Sequence, residues 1–459
     1  SVCVCTLSTM CLSFCASSTW VCSAYVGLGA RDMSAPRPGD SGTENPWITE
    51  AVSDTTAGNG LSLTMEGSAP VVAYFAGDSE DGGPCEEVRQ ADVEPPDRNF
   101  WPLFLARRSG GSWSEGRVGQ QLSLAAPIGL DLAMVGGAAT VAAMSGDPYV
   151  QGLQRVCERH DLGFYTEGGD VRTLVEDSSE AAFDVASDAG FMVGEWPAVA
   201  TNGGTTLVAY RDVHFGGIQS DDERRADLEA VIVDGGSTRA VPVDPGRGAG
   251  RFNEAIFDTS GRPYIVYVNE FEFDDTSRGT LVARSLDDGA TWEIHRLSED
   301  TDRGPSIWLD DQGQVNVAYY DEERRQLALQ ILEDVDAFDG EGWTLERIGD
   351  PQFDEGVDPS GATDADGYTA IAYHRCNTIT GGSMCDGNRD GLVVASRAPG
   401  DRDWTIELVD EGNDGARCGT DASLAFTEAG DVWVAYSCQS VVGDELLPRV
   451  RAARREAFE

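Results

Sequence analysis

Short apolar segments recur along the chain, and most of them end in Val-Ala-Tyr or a close variant. Each follows a glycine-containing turn, as expected for a β-strand that leaves a tight turn. The seven copies end at Tyr74, Ala143, Tyr210, Tyr267, Tyr319, Tyr373 and Tyr436. Successive copies are 52 to 69 residues apart, the period of a four-stranded propeller blade with lengthened loops. The pattern therefore predicts an all-β fold, a seven-bladed β-propeller of four-stranded blades.

The fifth copy shows the anatomy of one predicted blade. Apolar and polar residues alternate in β fashion within it, and its four segments lie at 306–310, 315–320, 327–332 and 343–348. The last segment begins with Trp343, and the equivalent outer segments of the fourth and sixth copies begin with Trp292 and Trp404. We expect these rings to fill the wide outer part of the wedge between neighbouring blades.

The seventh copy contains three strand-like segments, and its outer strand is expected elsewhere. The segment at 47–52 has the outer-strand pattern but precedes the first inner strand. Pairing it with the last blade would close the ring and leave no bare sheet edge. We therefore assign residues 45–459 to one propeller. The alternative, a stack of β-sandwich domains, does not predict such a displaced outer strand.

The first residues differ in composition from the rest. No charged residue occurs at 1–30, so the Cys-rich segment 1–32 reads as an export signal or membrane anchor, or else as sequence translated upstream of the true start. The segment 33–44 is rich in Pro, Gly and Ser and reads as a linker. No role is assigned to Cys3, Cys5, Cys11, Cys15 and Cys22.

The charge balance limits the possible partners. The chain carries 79 acidic and 33 basic residues, a formal net charge of -46, which repels nucleic acid and anionic lipid surfaces. A membrane would be contacted only through the first segment. The other six cysteines predict three disulfides, which indicates an extracellular or cell-surface protein, with the periplasm as an alternative. The expected pairs are Cys85–Cys157, Cys376–Cys385 and Cys418–Cys438.

The connection between the third and fourth strands of the fourth copy carries a motif. Its residues match Ser-x-Asp-x-Gly-x-Thr-Trp at Ser285, Asp287, Gly289, Thr291 and Trp292. On this octapeptide the chain resembles the Asp-box (bacterial neuraminidase repeat) propellers, a sialidase-like superfamily with enzymatic and non-enzymatic members. The resemblance implies that the Asp287 carboxylate bonds turn amides while Trp292 packs in the blade. It implies a fold rather than a reaction.

The face opposite the octapeptide is the candidate ligand face. The connections from second to third strands are long there, including 77–99, 375–391 and 437–448, and loops on a rigid scaffold commonly bind ligands. Arg251, Arg303 and Arg417 precede inner strands, so they could form a clamp for a carboxylate at the central mouth. His214 and His374 lie on or near this face.

Acidic turns suggest one possible cofactor. Oxygen ligands on turns suit calcium, and Asp358, Asp364 and Asp366 crowd one short stretch. No other cofactor is indicated, because the sequence carries no phosphate loop, dinucleotide fingerprint or zinc signature.

These patterns favour an exported binding or surface-interaction propeller that is not catalytic, with a glycan or protein as its ligand. A sialidase resemblance would also imply an Arg-Ile-Pro motif and six blades, whereas this sequence has Gly60-Leu61-Ser62-Leu63 near its first inner strand and seven repeats. An Asp-box glycoside hydrolase stays open as an alternative. So does a structural subunit that self-assembles through its first segment.

Overall fold

A computed structural model describes most of the chain. The chain is divided into two compact units, residues 1–44 and residues 45–459. The described residues all belong to the second unit and lie at 46–77, 80–84, 97–123, 128–146, 160–169, 171–175, 192–213, 226–246, 248–269, 278–299, 303–376, 379–380, 384–385, 390–412, 417–442 and 445–457. The assignments of 1–32 and 33–44 therefore lie outside the described residues.

Strand pairing in the described part forms seven four-stranded antiparallel blades, as the repeats predict. The strands of blades 1 to 3, from the inner to the outer strand, are Ile48–Glu66, Ala69–Ala76, Asp97–Ser109 and Ser112–Ser123; Asp131–Val135, Ala138–Gly146, His160–Thr166 and Arg172–Val175; and Met192–Asn202, Thr205–Val213, Ala226–Asp234 and Ser237–Asp244. Those of blades 4 and 5 are Arg251–Phe257, Pro263–Asn269, Gly279–Arg284 and Glu293–Ser298; and Ser306–Leu309, Val315–Asp321, Gln326–Leu332 and Trp343–Ile348. Those of blades 6 and 7 are Asp354–Thr363, Thr369–Cys376, Asp390–Arg397 and Thr405–Glu411; and Cys418–Phe426, Val432–Val442 and Glu445–Arg455, completed by the first part of Ile48–Glu66.

A few short elements decorate the blades. They are the strands Glu80–Pro84, Ile379–Thr380 and Met384–Cys385 and the 3-10 helix Val335–Ala337. The expected loop at 437–448 is instead largely a hairpin, because the strands Val432–Val442 and Glu445–Arg455 stay paired up to Val442 and Glu445. In the described residues, no helix is long and apolar enough to cross a membrane.

One long strand closes the ring, as expected. The first part of Ile48–Glu66 pairs with the third strand of blade 7, from Ile48 opposite Arg454 to Ala51 opposite Arg451. Its later part is the inner strand of blade 1. Trp47 is buried beside this strand and its Nε1 donates to Glu407 Oε2 at 3.2 Å. A single strand thus holds the first and the last blade together.

The core lies between the blades. Each apolar cluster is built from facing sides of adjacent blades, for example Trp308 and Leu329 of blade 5 with Ile371 and Tyr373 of blade 6. The repeated tyrosines are buried, so their hydroxyls lose their hydrogen bonds to water. This loss is unfavourable unless the protein supplies another hydrogen-bond partner. In five blades the hydroxyl donates to a carboxylate, in the pairs Tyr74–Glu115, Tyr210–Glu229, Tyr267–Asp244, Tyr373–Glu355 and Tyr436–Asp410. The repeat therefore encodes packing and one buried polar contact together.

The octapeptide turn is closed by its own side chains. Asp287 accepts from the Thr291 backbone N–H and from the Thr291 hydroxyl, each at 2.8 Å. These bonds hold the pKa of Asp287 below its ordinary value. Gly289 has φ +80°, and a Cβ there would lie 2.4 Å from Ile232 of blade 3. Trp292 packs into the cluster between blades 3 and 4. The turn therefore serves the fold, at the face opposite the long loops.

One predicted disulfide is present in the described part. Cys418 and Cys438 are bonded and lie directly opposite each other on the inner and second strands of blade 7. Cys376 is also disulfide-bonded. Its predicted partner Cys385 and the predicted pair Cys85–Cys157 have side chains outside the described residues.

A ring of hydrogen bonds ties the inner strands to one another. We call the residues at its equivalent places the seam position, which comprises Ser62, Asp131, Ala198, Glu254, Ser306, Ser360 and Ser423. In six blades this side chain accepts from a backbone N–H of the next blade; the donors are Leu132, Val199, Ile307, Gly361, Leu424 and Leu63, at 2.7 to 3.2 Å. Ala198 has no side-chain acceptor. The seam therefore joins six of the seven pairs of neighbouring blades through bonds from a backbone N–H to a side chain.

Candidate functional site

The inner strands share a second feature two residues before the seam position. We call these residues the mouth position, which comprises Gly60, Gly129, Trp196, Phe252, Gly304, Asp358 and Asp421. Six of the seven have a positive φ, and four of those six are not glycine, namely Trp196 at 42°, Phe252 at 52°, Asp358 at 50° and Asp421 at 51°. A bulge interrupts the strand pairing at each of the four. Bulges turn a side chain away from its regular direction.

Neighbouring mouth residues touch one another around the channel. The rings of Trp196 and Phe252 are 5.3 Å apart, and a Cβ on Gly304 would lie 3.3 Å from Phe252 Cβ. The Asp421 backbone N–H donates to the Asp358 carboxylate. The Gly60 backbone N–H donates to the Asp421 carboxylate in turn. The mouth position is therefore a second ring, which lies at the long-loop end of the channel.

Close packing explains how the strands reach this conformation. In blades 3, 4, 6 and 7 a glycine of positive φ lies two residues before the mouth position, and these are Gly194, Gly250, Gly356 and Gly419. A Cβ on Gly356 would lie 2.5 Å from Leu327 Cα in the third strand of the previous blade. Only glycine allows this approach, which bends the strand before it enters the bulge.

The aromatic side of the mouth is formed by blades 3 and 4. Trp196 and Phe252 are half-buried there. The Arg251 guanidinium carbon lies 4.7 Å from the Trp196 ring centre and 5.3 Å from the Phe252 ring centre. Arg211 lies 5.4 Å from the Trp196 ring and forms a buried ion pair with Glu195, at 3.4 Å. On this side, guanidinium groups therefore lie over the aromatic rings.

The acidic side is formed by blades 6 and 7. Asp358 and Asp421 are half-buried and surrounded by protein. Burial and, to a smaller extent, the neighbouring charge of Asp358 raise the pKa of Asp421 to about 7. Burial also raises the pKa of Asp358, while Arg303 and His374 oppose the shift in both residues. One carboxyl of the pair is therefore partly protonated near neutral pH.

A second pair of carboxyls lies one layer deeper, at the seam position. Burial raises the pKa of Glu254 to about 8, and the bond from the Ile307 backbone N–H opposes this shift. Burial likewise raises the pKa of Asp131, whose carboxylate accepts from Val199 and Ser62. The channel therefore stays polar below the mouth.

The structure gives each candidate ligand residue a distinct place. Arg251 lies against the aromatic side, and exposed Arg303 acts on the acidic side. Arg417 Nε is 3.8 Å from the buried carboxylate of Asp390. The same Asp390 oxygen is 3.3 Å from His374 Nε2, so His374 connects Asp390 to the acidic side. His214 lies outside the described residues.

The suggested calcium ligands do not come together. Asp358 lies in the bulge of the inner strand Asp354–Thr363, whereas Asp364 and Asp366 lie in the turn after its other end. The intervening strand separates them by roughly 15–20 Å at its usual rise per residue. Asp364 Oδ1 already accepts from two backbone N–H groups of its own turn. Asp358 thus belongs to the mouth, and the other two shape a turn.

Sequence reasoning missed three mouth residues, Trp196, Phe252 and Asp421. Their signal was a glycine four residues before the seam position, as in Gly356 with Ser360 and Gly419 with Ser423. The repeat search followed the apolar second strands instead, where the pattern is longer and more regular.

Comparisons with known proteins find solved structures that are similar over most of the chain. No protein-family model matches the chain, and no curated protein matches it in sequence. A protein of unknown function from Dyadobacter fermentans is 12% identical, with 90% of this chain and 98% of that chain covered and a TM-score of 0.49. The polysaccharide lyase Uly1 is 10% identical, with coverages of 89% and 91% and a TM-score of 0.48. The Hadza microbial sialidase Hz136 is 14% identical, with coverages of 88% and 66% and a TM-score of 0.44. The seven-bladed fold itself rests on the strand pairing above.

Proposed function

We propose that the chain is an exported binding propeller that holds a carbohydrate at the mouth position. The observation that carries the proposal is the positive φ of four non-glycine residues at equivalent places. Such a conformation costs roughly 1–3 kcal/mol for each residue and persists where a site requires it. It gives the channel entrance two aromatic rings and two carboxyls.

This combination suits a sugar. Aromatic faces pack against the apolar face of a pyranose, while carboxylates and guanidinium groups bond its hydroxyls. Trp196 and Phe252 supply the faces, and Asp358, Asp421 and Arg303 supply the polar groups. The glycines at the remaining mouth positions leave room for the ligand between the two sides. The charge of -46 and the disulfide fit a soluble, exported protein.

A glycan array followed by calorimetry tests this proposal. We expect the full chain to retain at least one oligosaccharide, and Trp196→Ala and Phe252→Ala each to weaken its binding at least tenfold, because stacking area is lost. Ile294→Ala, which removes an exposed apolar side chain on the outer strand of blade 4, is the matched control and should bind as the parent does. Equal binding by all three variants, or no retention of any glycan, would overturn the proposal.

Glycoside hydrolysis is a second candidate, and the Asp358–Asp421 pair favours it. Glycosidases commonly use two carboxyls, one of which keeps its proton near neutral pH. Asp421 would protonate the glycosidic oxygen while Asp358 acts on water or the sugar carbon. The repeated tyrosines listed above are buried between blades, so they are unsuited to be a nucleophile. Chromatography of the retained oligosaccharide after incubation distinguishes the two functions. Shorter products that vanish with Asp421→Asn would establish hydrolysis, and an unchanged ligand would leave binding alone.

A further inference from the structure

The disulfide of blade 7 lies beside a carboxylate of blade 6. Asp410 belongs to the outer strand Thr405–Glu411, whereas Cys418 and Cys438 belong to blade 7. One carboxylate oxygen and the two sulfurs all lie within 4.8 Å of one another. Both cysteines are almost fully buried, while the Asp410 side chain is 14% exposed. The three groups therefore form a compact set with one side open to solvent.

We propose that the reduced form of this chain binds Zn²⁺ through Asp410, Cys418 and Cys438. A site of two thiolates and one carboxylate binds zinc in preference to calcium. A water on the open Asp410 side would supply the fourth ligand. Reduction transfers two electrons and two protons from a dithiol to the Cys418–Cys438 bond, and the dithiol becomes a disulfide. The two thiols then release two protons as the metal binds.

The surrounding charges suit this ion. Arg451 Nη1 lies 2.7 Å from Asp410 Oδ2 and 3.9 Å from Cys438 Sγ. Two thiolates and the Asp410 carboxylate carry three negative charges, which Zn²⁺ and Arg451 together neutralise. Tyr436 also donates to Asp410 Oδ2, at 2.5 Å, and so fixes the carboxylate. Such an outer bond commonly orients a metal ligand.

The two states would join different parts of the ring. The disulfide connects two strands within blade 7. A metal ion would connect blade 7 to the outer strand of blade 6 across the junction between them. Cys418 begins the inner strand that carries Asp421 three residues later, so the change lies next to the acidic side of the mouth.

Cobalt titration tests the site, because Co²⁺ substitutes for Zn²⁺ and reports sulfur ligation by its charge-transfer band. The full chain is reduced with a dithiol, freed of it without oxygen and titrated beside a Cys418→Ser/Cys438→Ser double variant. We expect the parent to bind one more Co²⁺ than the double variant and to release two protons with it, measured by calorimetry in two buffers. Cys376→Ser, which removes a different disulfide cysteine, is the matched control and should keep this site.

Three results would overturn the proposal. The first is equal Co²⁺ binding by the parent and the double variant. The second is the same charge-transfer band in the oxidised parent. The third is an Asp410→Asn variant that binds Co²⁺ as tightly as the parent, since loss of a ligand should weaken binding at least tenfold. Calorimetric proton release in the unsubstituted chain gives an independent answer if the double variant does not fold.

Discussion

The mouth position and the seam position lie two residues apart on the same seven strands, yet the blades use them differently. At the seam position six side chains do the same task, and serine or a carboxylate accepts a backbone N–H of the next blade. At the mouth position the residues are glycine, aromatic or acidic according to the blade. The seam position repeats one contact and holds the ring together, whereas the mouth position, whose residues diverge at the cost of backbone strain, is where we propose that a ligand binds.

The largest loss of stability is expected where a mouth residue is packed tightly against its neighbour. Gly129→Ala should lower the free energy of unfolding by about 3 kcal/mol or more, because the new Cβ would lie 2.8 Å from Trp196 Cα at a φ of +66°. Gly60→Ala is the matched control. Its φ is +88° but its nearest atom is 3.7 Å away, so only the strain of about 1 kcal/mol remains. Urea unfolding of both variants measures the difference, and equal losses would contradict this account of Gly129.

An intermediate effect is expected at the seam position. Ser360→Ala removes the acceptor of the buried Leu424 N–H, so the free energy of unfolding should fall by about 1–3 kcal/mol. Ser112→Ala, at the exposed start of the strand Ser112–Ser123, is the matched control and should change the free energy of unfolding by no more than about 0.5 kcal/mol. Unfolding in urea decides between the two positions. A Ser360 variant as stable as the Ser112 variant would mean that the seam contributes nothing to the ring.

A further effect, visible only as the pH changes, is expected from protonation at the mouth position. Because the pKa of Asp421 is about 7 in the folded chain and 3.8 ordinarily, the folded state binds more protons between these values. Stability should therefore fall as pH rises from about 4 to 7. The groups that act on Asp421 are Asp358, Arg303, His374 and the Gly60 N–H.

Asp421→Asn cannot lose this proton, so its melting temperature should depend less on pH across that window. The melting temperature of this variant should still fall somewhat as pH rises, because the pKa of Glu254 is also raised, to about 8. Asp366→Asn, at an exposed turn, is the matched control and should follow the parent. Melting curves of the three proteins from pH 4 to 8 measure the effect. Parallel curves for the parent and the Asp421 variant would remove Asp421 as the titrating group.

The sequence was sufficient for the fold because each blade repeats the same local pattern. The second strands, such as the one that ends near Tyr319, are buried on both faces and give long apolar segments. The displaced outer strand at Trp47 followed from counting the segments of the last blade. A fold made of repeats can be predicted when one unit is read correctly.

The mouth could not be predicted in the same way, because a bulge breaks the two-residue period of a strand. Asp358 was selected with Asp364 and Asp366 because they are close in sequence, although the strand places them at opposite ends. Asp421 and Phe252 were passed over because the repeat search followed the second strands and not the glycine spacing of the inner strands. Which face a bulged side chain takes depends on contacts with the neighbouring blade, as at Gly356 and Leu327.

The strand Ile48–Glu66 also constrains the order in which the chain can fold. Thr49 contacts Arg451, a residue 402 positions away, through a hydrogen bond of 3.0 Å. Contacts that distant pay a large loop-closure entropy and form slowly. During synthesis the outer strand of blade 7 is made first, but its partner Glu445–Arg455 leaves the ribosome more than 390 residues later. The ring can therefore close only after blade 7 has been made, so blade 1 waits without this partner while the blades between them are synthesised.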